Sequence, residues 1–284
     1  MFTTSSRDDA IETLELRDTD AKSLLVLAPA RGGMATRLAL GGRHRFFLDE
    51  STLRDPTKNV RGGNPVLFPS PGKLASDTWK HGTLKQHGFA RNVAWEIAGV
   101  GTEGAATATL RLAASDATRE AFPRDFVAEY TYALSGTTLR IEQRFTNMSA
   151  EPMPFGAGFH PYFHVKSSDK AAARIETKAT RAFDNVRKED ITLPATGISL
   201  TQKEVDLHLL DHGSVPCTLA LPSGGITLRG SAEFSHWVVW TLEGKDFVCV
   251  EPWTCPGNAL NTGERLMMLG KGETRTLWVE YATV

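Results

Sequence analysis

Apolar and polar positions alternate with a period of two along much of the chain. Phe126, Ala128, Tyr130, Tyr132 and Leu134 alternate with Val127, Glu129, Thr131 and Ala133. Leu139, Ile141 and Phe145 alternate with Arg140, Glu142 and Arg144, and Ala108, Leu110 and Leu112 with Thr107, Thr109 and Arg111. Leu277, Val279 and Tyr281 repeat the pattern near the end. Successive side chains of a strand point to opposite faces, so each run predicts a half-buried strand of an antiparallel sheet. Val238–Leu242 and Phe247–Val250 are more continuously apolar and predict deeper strands. Turn residues separate these runs at Ser135-Gly136, Pro222–Gly225, Gly244–Asp246 and Gly270–Gly272. Helical periodicity is scarce: one short turn is expected around Thr118–Ala121 and another near Glu204–Leu210. Many strands and few helices predict an all-β fold, a large β-sandwich of about fifteen or more strands in two twisted sheets.

The composition fits one such unit. The chain has 284 residues, 41% hydrophobic and 23% charged, with no low-complexity linker to split it. We therefore expect a single domain over 1–284. The net charge is −1, which argues against a nucleic-acid or anionic-membrane partner. No apolar run approaches the ~18 residues of a spanning helix. The first residues are polar and acidic, unlike a secretory leader, and the three cysteines form no C-x-x-C, so a reduced, cytoplasmic protein is expected.

Two islands concentrate acid/base chemistry: Gly158–Phe163, with His160, and Val248–Trp253, with Glu251. A histidine and a carboxylate tuned upward by apolar neighbours are the residue types of a neutral-pH acid/base pair. Arg61, Lys73, His87 and Arg91 lie in a long irregular stretch, 54–92, as donors for an oxygen-rich ligand. A second irregular stretch is expected at 250–266. Tyr162 and Trp253 adjoin the acid and the base and suit the C–H face of a sugar, whereas Trp95, Trp237 and Trp240 are expected in the core. His160 and His164 are four residues apart, but Pro161 argues against the helix that would make them a metal pair. Nucleophile-elbow and dinucleotide fingerprints, G-x-S-x-G and G-x-G-x-x-G, are absent.

Arg61-Gly-Gly-Asn-Pro-Val-Leu-Phe-Pro, Gln86-His-Gly-Phe-Ala-Arg91, Phe159-His-Pro-Tyr-Phe163, Glu204-Val-Asp206 and Val250-Glu-Pro252 occur in that order. With them the whole chain resembles the aldose 1-epimerase, or galactose mutarotase-like, superfamily. The resemblance implies an antiparallel β-supersandwich with very little helix and a sugar site on one concave sheet face. It implies an isomerase that interconverts anomers, with His160 as general acid and Glu251 as general base. His87 would hydrogen-bond the sugar and Asp206 hold its hydroxyls, while Arg61 and Arg91 match residues that gather around phosphate in the hexose-6-phosphate branch. Gly72-Lys73 also resembles that branch, where members acting on free sugars carry Asn-Arg. No cofactor and no metal are implied. The partner expected is a small sugar or sugar phosphate, bound by a monomer or homodimer. The alternatives are a hexose-6-phosphate 1-epimerase and a non-catalytic carbohydrate-binding protein on the same fold.

Overall fold

The computed structural model describes residues 1–8 and 11–284. Two eight-stranded antiparallel sheets dominate it. The first runs, in spatial order, Arg174–Glu176, Cys217–Ala220, Ile226–Gly230, Thr274–Thr283, Thr138–Asn147, Phe126–Ser135, Ala106–Ala113 and Glu96–Gly101. The second runs Glu189–Thr192, Arg181–Asp184, Glu204–Leu209, His236–Leu242, Phe247–Trp253, Gly158–Phe159 and Val66–Leu67, with Tyr162–His164 also paired to Phe247–Trp253. A five-stranded sheet formed by the first residues, up to Arg43–His44, packs beside Ala106–Ala113 and Phe126–Ser135. No strand of that sheet is among those expected from the sequence.

The alternation read from the sequence becomes a division of faces. In the first sheet Ala106, Ala108, Leu110, Tyr130, Tyr132, Ile141, Phe145, Leu277 and Val279 are buried in one continuous core. The second sheet contributes Val205, Leu207, Leu209, Trp237, Val239, Val248 and Val250 to the same core. Because neighbouring residues point oppositely, the residues between these valines and leucines form the other face of that sheet.

The helix expected near Thr118–Ala121 is present as Asp116–Ala121, capped by Ser115. The one expected near Glu204–Leu210 is not: Glu204–Leu209 is a strand, with Val205, Leu207 and Leu209 buried and Glu204, Asp206 and His208 between them. Its alternation is strict, and pairing on both edges satisfies its backbone. The irregular stretch expected from 250 begins later, since the strand Phe247–Trp253 continues through both Glu251 and Trp253.

Candidate functional site

The polar face of the second sheet is the floor of a cleft of about 670 Å³. Each strand delivers alternate side chains to it: Asp206 and His208 from one, His236, Val238 and Trp240 from the next, Glu251 and Trp253 from the third. Register aligns them, with Asp206 opposite Trp240, Val238 opposite Glu251 and His236 opposite Trp253. His160 and Tyr162 complete the floor, their rings stacked at 4.7 Å. Arg61, Lys73, His87 and Arg91 enter from loops around the rim. All nine candidate residues thus line one cleft.

Glu251 and His160 meet at its base. His160 Nε2 lies 3.4 Å from Glu251 Oε1, and both residues are buried. The Trp253 indole N–H donates to Glu251 Oε2 at 3.2 Å. Burial first, then the negative charge of Asp206, pushes the Glu251 carboxyl well above its ordinary range. Burial, with His87 and Arg91 nearby, pushes His160 well below its own. Both groups are driven towards their uncharged forms, and at 3.4 Å His160 Nε2 and Glu251 Oε1 are close enough to pass a proton between them with little movement.

His87 is fixed differently from the expectation. It sits at φ 69°, and its Nδ1–H donates to the Pro71 carbonyl. Its Nε2 accepts from the Gln86 amide at 3.2 Å. Burial, reinforced by Arg91, pushes its pKa down to about 3. It therefore has no donor for a ligand, and a ligand hydroxyl can bond Nε2 only by replacing the Gln86 amide as the donor to it. An unfolded histidine titrates near 6.5, so the unfolded chain binds a proton in acid that the folded chain refuses. Stability present above pH 6.5 is lost as the pH falls towards 3. His87→Asn, which tolerates positive φ and cannot titrate, should be less stable than wild type at pH 7. The gap should narrow by about 3 kcal/mol at pH 4.5, at ~1.4 kcal/mol per pH unit. Denaturant unfolding at both pH values measures it, and a constant gap contradicts the assignment.

Asp206 is half-buried, and burial raises its pKa. Its Oδ2 accepts from the Asn185 amide at 2.6 Å. Arg91 donates to the Gln86 carbonyl at 3.1 Å, while its buried Nε has no protein partner. Arg61 and Lys73 are exposed. Trp240, expected in the core, instead lines the cleft and donates to Glu204 Oε1 at 3.1 Å. Its strand carries it on the same face as Val238 and His236, opposite Trp237 and Val239. Trp95 and Trp237 are buried as expected, and His164 is exposed, away from His160.

Sequence reasoning missed His208, His236 and Arg265, which also line the cleft. His208 was accessible to it: two residues beyond Asp206 on an alternating strand is the same face. His236 and Arg265 are brought in only by pairing and by the loop after Trp253. Among the described residues, one grouping could hold a metal ion: ligand atoms of His160, Cys249 and Glu251 lie within 4.8 Å of one another. Burial raises the Cys249 thiol as it does the Glu251 carboxyl, so both favour their protonated, poorly ligating forms. No helix among the described residues is long and apolar enough to cross a membrane.

Comparison with known proteins agrees with this fold. Residues 59–282 match the family model described as aldose 1-epimerase. The Slr1438 protein of Synechocystis sp. PCC 6803 is 36% identical, with a TM-score of 0.93 over 100% of this chain and 99% of that one. A galactose mutarotase-like protein of Clostridium acetobutylicum, 16% identical, shares the fold with a TM-score of 0.83 over 100% of this chain and 98% of its own. A protein of Cenchrus ciliaris with a provisional glucose-6-phosphate 1-epimerase name is 28% identical over 242 residues, which is 74% of this chain and 69% of that protein. The chain belongs to the aldose 1-epimerase family and is an epimerase acting on carbohydrates.

Proposed function

We propose that the protein interconverts the α and β anomers of an aldohexose by acid/base ring opening and reclosure. The observation that carries this reading is the buried His160–Glu251 pair, 3.4 Å apart on the floor of a cleft with ample room for a sugar. The anomeric hydroxyl and the ring oxygen are bonded to the same carbon, so a donor and an acceptor this close can serve both. When the sugar binds, the proton of Glu251 passes to His160 Nε2 across their 3.4 Å contact, and the carboxylate so formed takes the proton of the C1 hydroxyl as the C1–O5 bond breaks. His160 gives its proton to O5, and C1 becomes the aldehyde carbon. Rotation about C1–C2 presents the other carbonyl face, and reclosure reverses both transfers. Only protons move between enzyme and sugar, and the pair returns to its starting state. The sugar supplies its own electrophile, so the chemistry calls for no cofactor.

Tyr162, Trp253 and Trp240 offer aromatic surface to the ring, and Asp206 accepts from its hydroxyls. Residues 1–284 are read as one such domain, supported by a large core that, among the described residues, runs from Leu14 to Tyr281. Polarimetry or NMR exchange with glucose and galactose tests the activity. Anomerisation no faster than the buffer-catalysed rate contradicts the proposal.

A second reading, a hexose-6-phosphate 1-epimerase, is favoured by the unpartnered buried Nε of Arg91 with Arg61 and Lys73 on the same rim. A hydrogen bond to a charged group is typically worth ~1.5–3 kcal/mol. If phosphate binds there, Arg91→Met should lower kcat/KM for glucose 6-phosphate by about tenfold or more. It should change kcat/KM for glucose far less. Equal losses on the two sugars rule this reading out.

A further inference from the structure

A hydrogen-bonded chain crosses one end of the cleft. The Arg265 guanidinium donates to His236 Nδ1 at 3.2 Å, and His236 Nε2 lies 2.8 Å from His208 Nδ1. His208 Nε2 in turn lies 3.7 Å from Asp206 Oδ1. Protons can be assigned along it, because a guanidinium only donates. His236 Nδ1 must therefore accept, which leaves its proton on Nε2. That proton is donated to His208 Nδ1, so the proton of His208 sits on Nε2. Both imidazoles are held neutral: burial pushes His208 down to about 4 and His236 well below its ordinary value. The ring of His236 is further fixed by Trp253, stacked at 5.7 Å, and that of His208 by the edge of the same indole at 5.5 Å.

The outcome is an N–H donor beside a carboxylate acceptor, and 3.7 Å is too long for a hydrogen bond between them. Asp206 cannot swing closer freely, since Asn185 holds its other oxygen and Lys188 holds Asn185 at 2.7 Å. An oxygen on the cleft side of the two, about 2.8 Å from each, can accept from one and donate to the other. A hydroxyl does both through a single oxygen. We propose that His208 Nε2–H and Asp206 Oδ1 clamp one sugar hydroxyl between them, with His236 and Arg265 as positioning residues that keep the donor proton on Nε2. His208 is then a specificity-determining residue, because a site built around a hydroxyl rejects analogues that lack it. The clamp rests on the reading of the cleft as a sugar site, though not on turnover.

Two measurements on the full chain test it. Nitrogen-15 NMR of the histidines should show His208 as the Nε2–H tautomer in wild type and as a mixture in Arg265→Met. Calorimetric titration with D-glucose and its monodeoxy analogues reads the clamp itself. His208→Phe should weaken glucose binding roughly 10- to 100-fold. It should change by less than about twofold the binding of the one analogue lacking the clamped hydroxyl, which has nothing left to lose there. His208→Gln, which keeps an N–H donor, should recover part of the loss. An Nδ1–H tautomer in wild type overturns the clamp, and so does an equal loss across every analogue. Selective sugar binding without anomerisation would overturn the catalytic reading and leave the clamp standing. No binding of any of these sugars to wild type would overturn both.

Discussion

Replacing Glu251 with glutamine is expected to lower kcat for anomerisation by about a thousandfold while leaving the fold intact, since acid/base partners typically contribute 10²–10⁴. The amide has the shape of the carboxyl, and its oxygen can still accept from the Trp253 indole. What it cannot do is take a proton from the C1 hydroxyl. The substitution also removes a buried ionisable group. Folding raises the Glu251 pKa above that of the unfolded chain, so the wild type loses stability as pH rises above about 4.5. The glutamine variant is free of that slope. Its melting temperature relative to wild type should therefore increase with pH above that point, the pattern of a residue kept for function at some cost in stability. NMR exchange spectroscopy and thermal melts measure the two effects. A kcat within tenfold of wild type would remove Glu251 from the mechanism.

The same residue shows how far the sequence could be read. Its type and its apolar flanks announce a tuned carboxylate, and strict alternation announces that Cys249, Glu251 and Trp253 share a face. What alternation cannot supply is register, and a slip of one residue exchanges the two faces of a strand. The pairing of Val238 with Glu251 and of Asp206 with Trp240 depends on turns and packing across the whole sheet. For that reason Trp240 was expected in the core, although it shares a face with His236. The strand Glu204–Leu209 was misread for another reason. Its charged and apolar residues are few enough to fit a single helical turn, and only its two neighbours decide in favour of the strand. Arg265 carried no local signal, since a lone arginine in a loop is ordinarily solvated. The residues singled out with the family motifs come together in one cleft, some from loops and others, such as Asp206 and Glu251, from within strands. His208, His236 and Arg265 lie in none of those motifs.

Gly88→Ala is expected to be the most damaging single-atom-scale change near the site, costing about 3 kcal/mol or more through strain and overpacking together. Gly88 follows His87 and adopts φ 71°. A β-carbon there would press into the Phe68 carbonyl and lie 2.8 Å from the Pro69 nitrogen. The Phe68 carbonyl has no room to yield, because it accepts from the N–H groups of Phe89 at 3.1 Å and Ala90 at 3.2 Å. The Phe68 ring is locked as well, packed against Phe126 at 5.1 Å and Phe145 at 5.2 Å. The strain must then move the loop, and that loop carries His87 and Arg91 into the cleft. Activity should fall with stability, in kcat/KM for any sugar. Gly244→Ala is the control: it has φ 68° but nothing within 4 Å of its β-carbon. It should cost only the backbone strain, about 1 kcal/mol, and leave kcat/KM unchanged. Denaturant unfolding of both variants separates contact from conformation. Equal losses would mean that the Phe68–Gly88 approach is looser than its hydrogen bonds require.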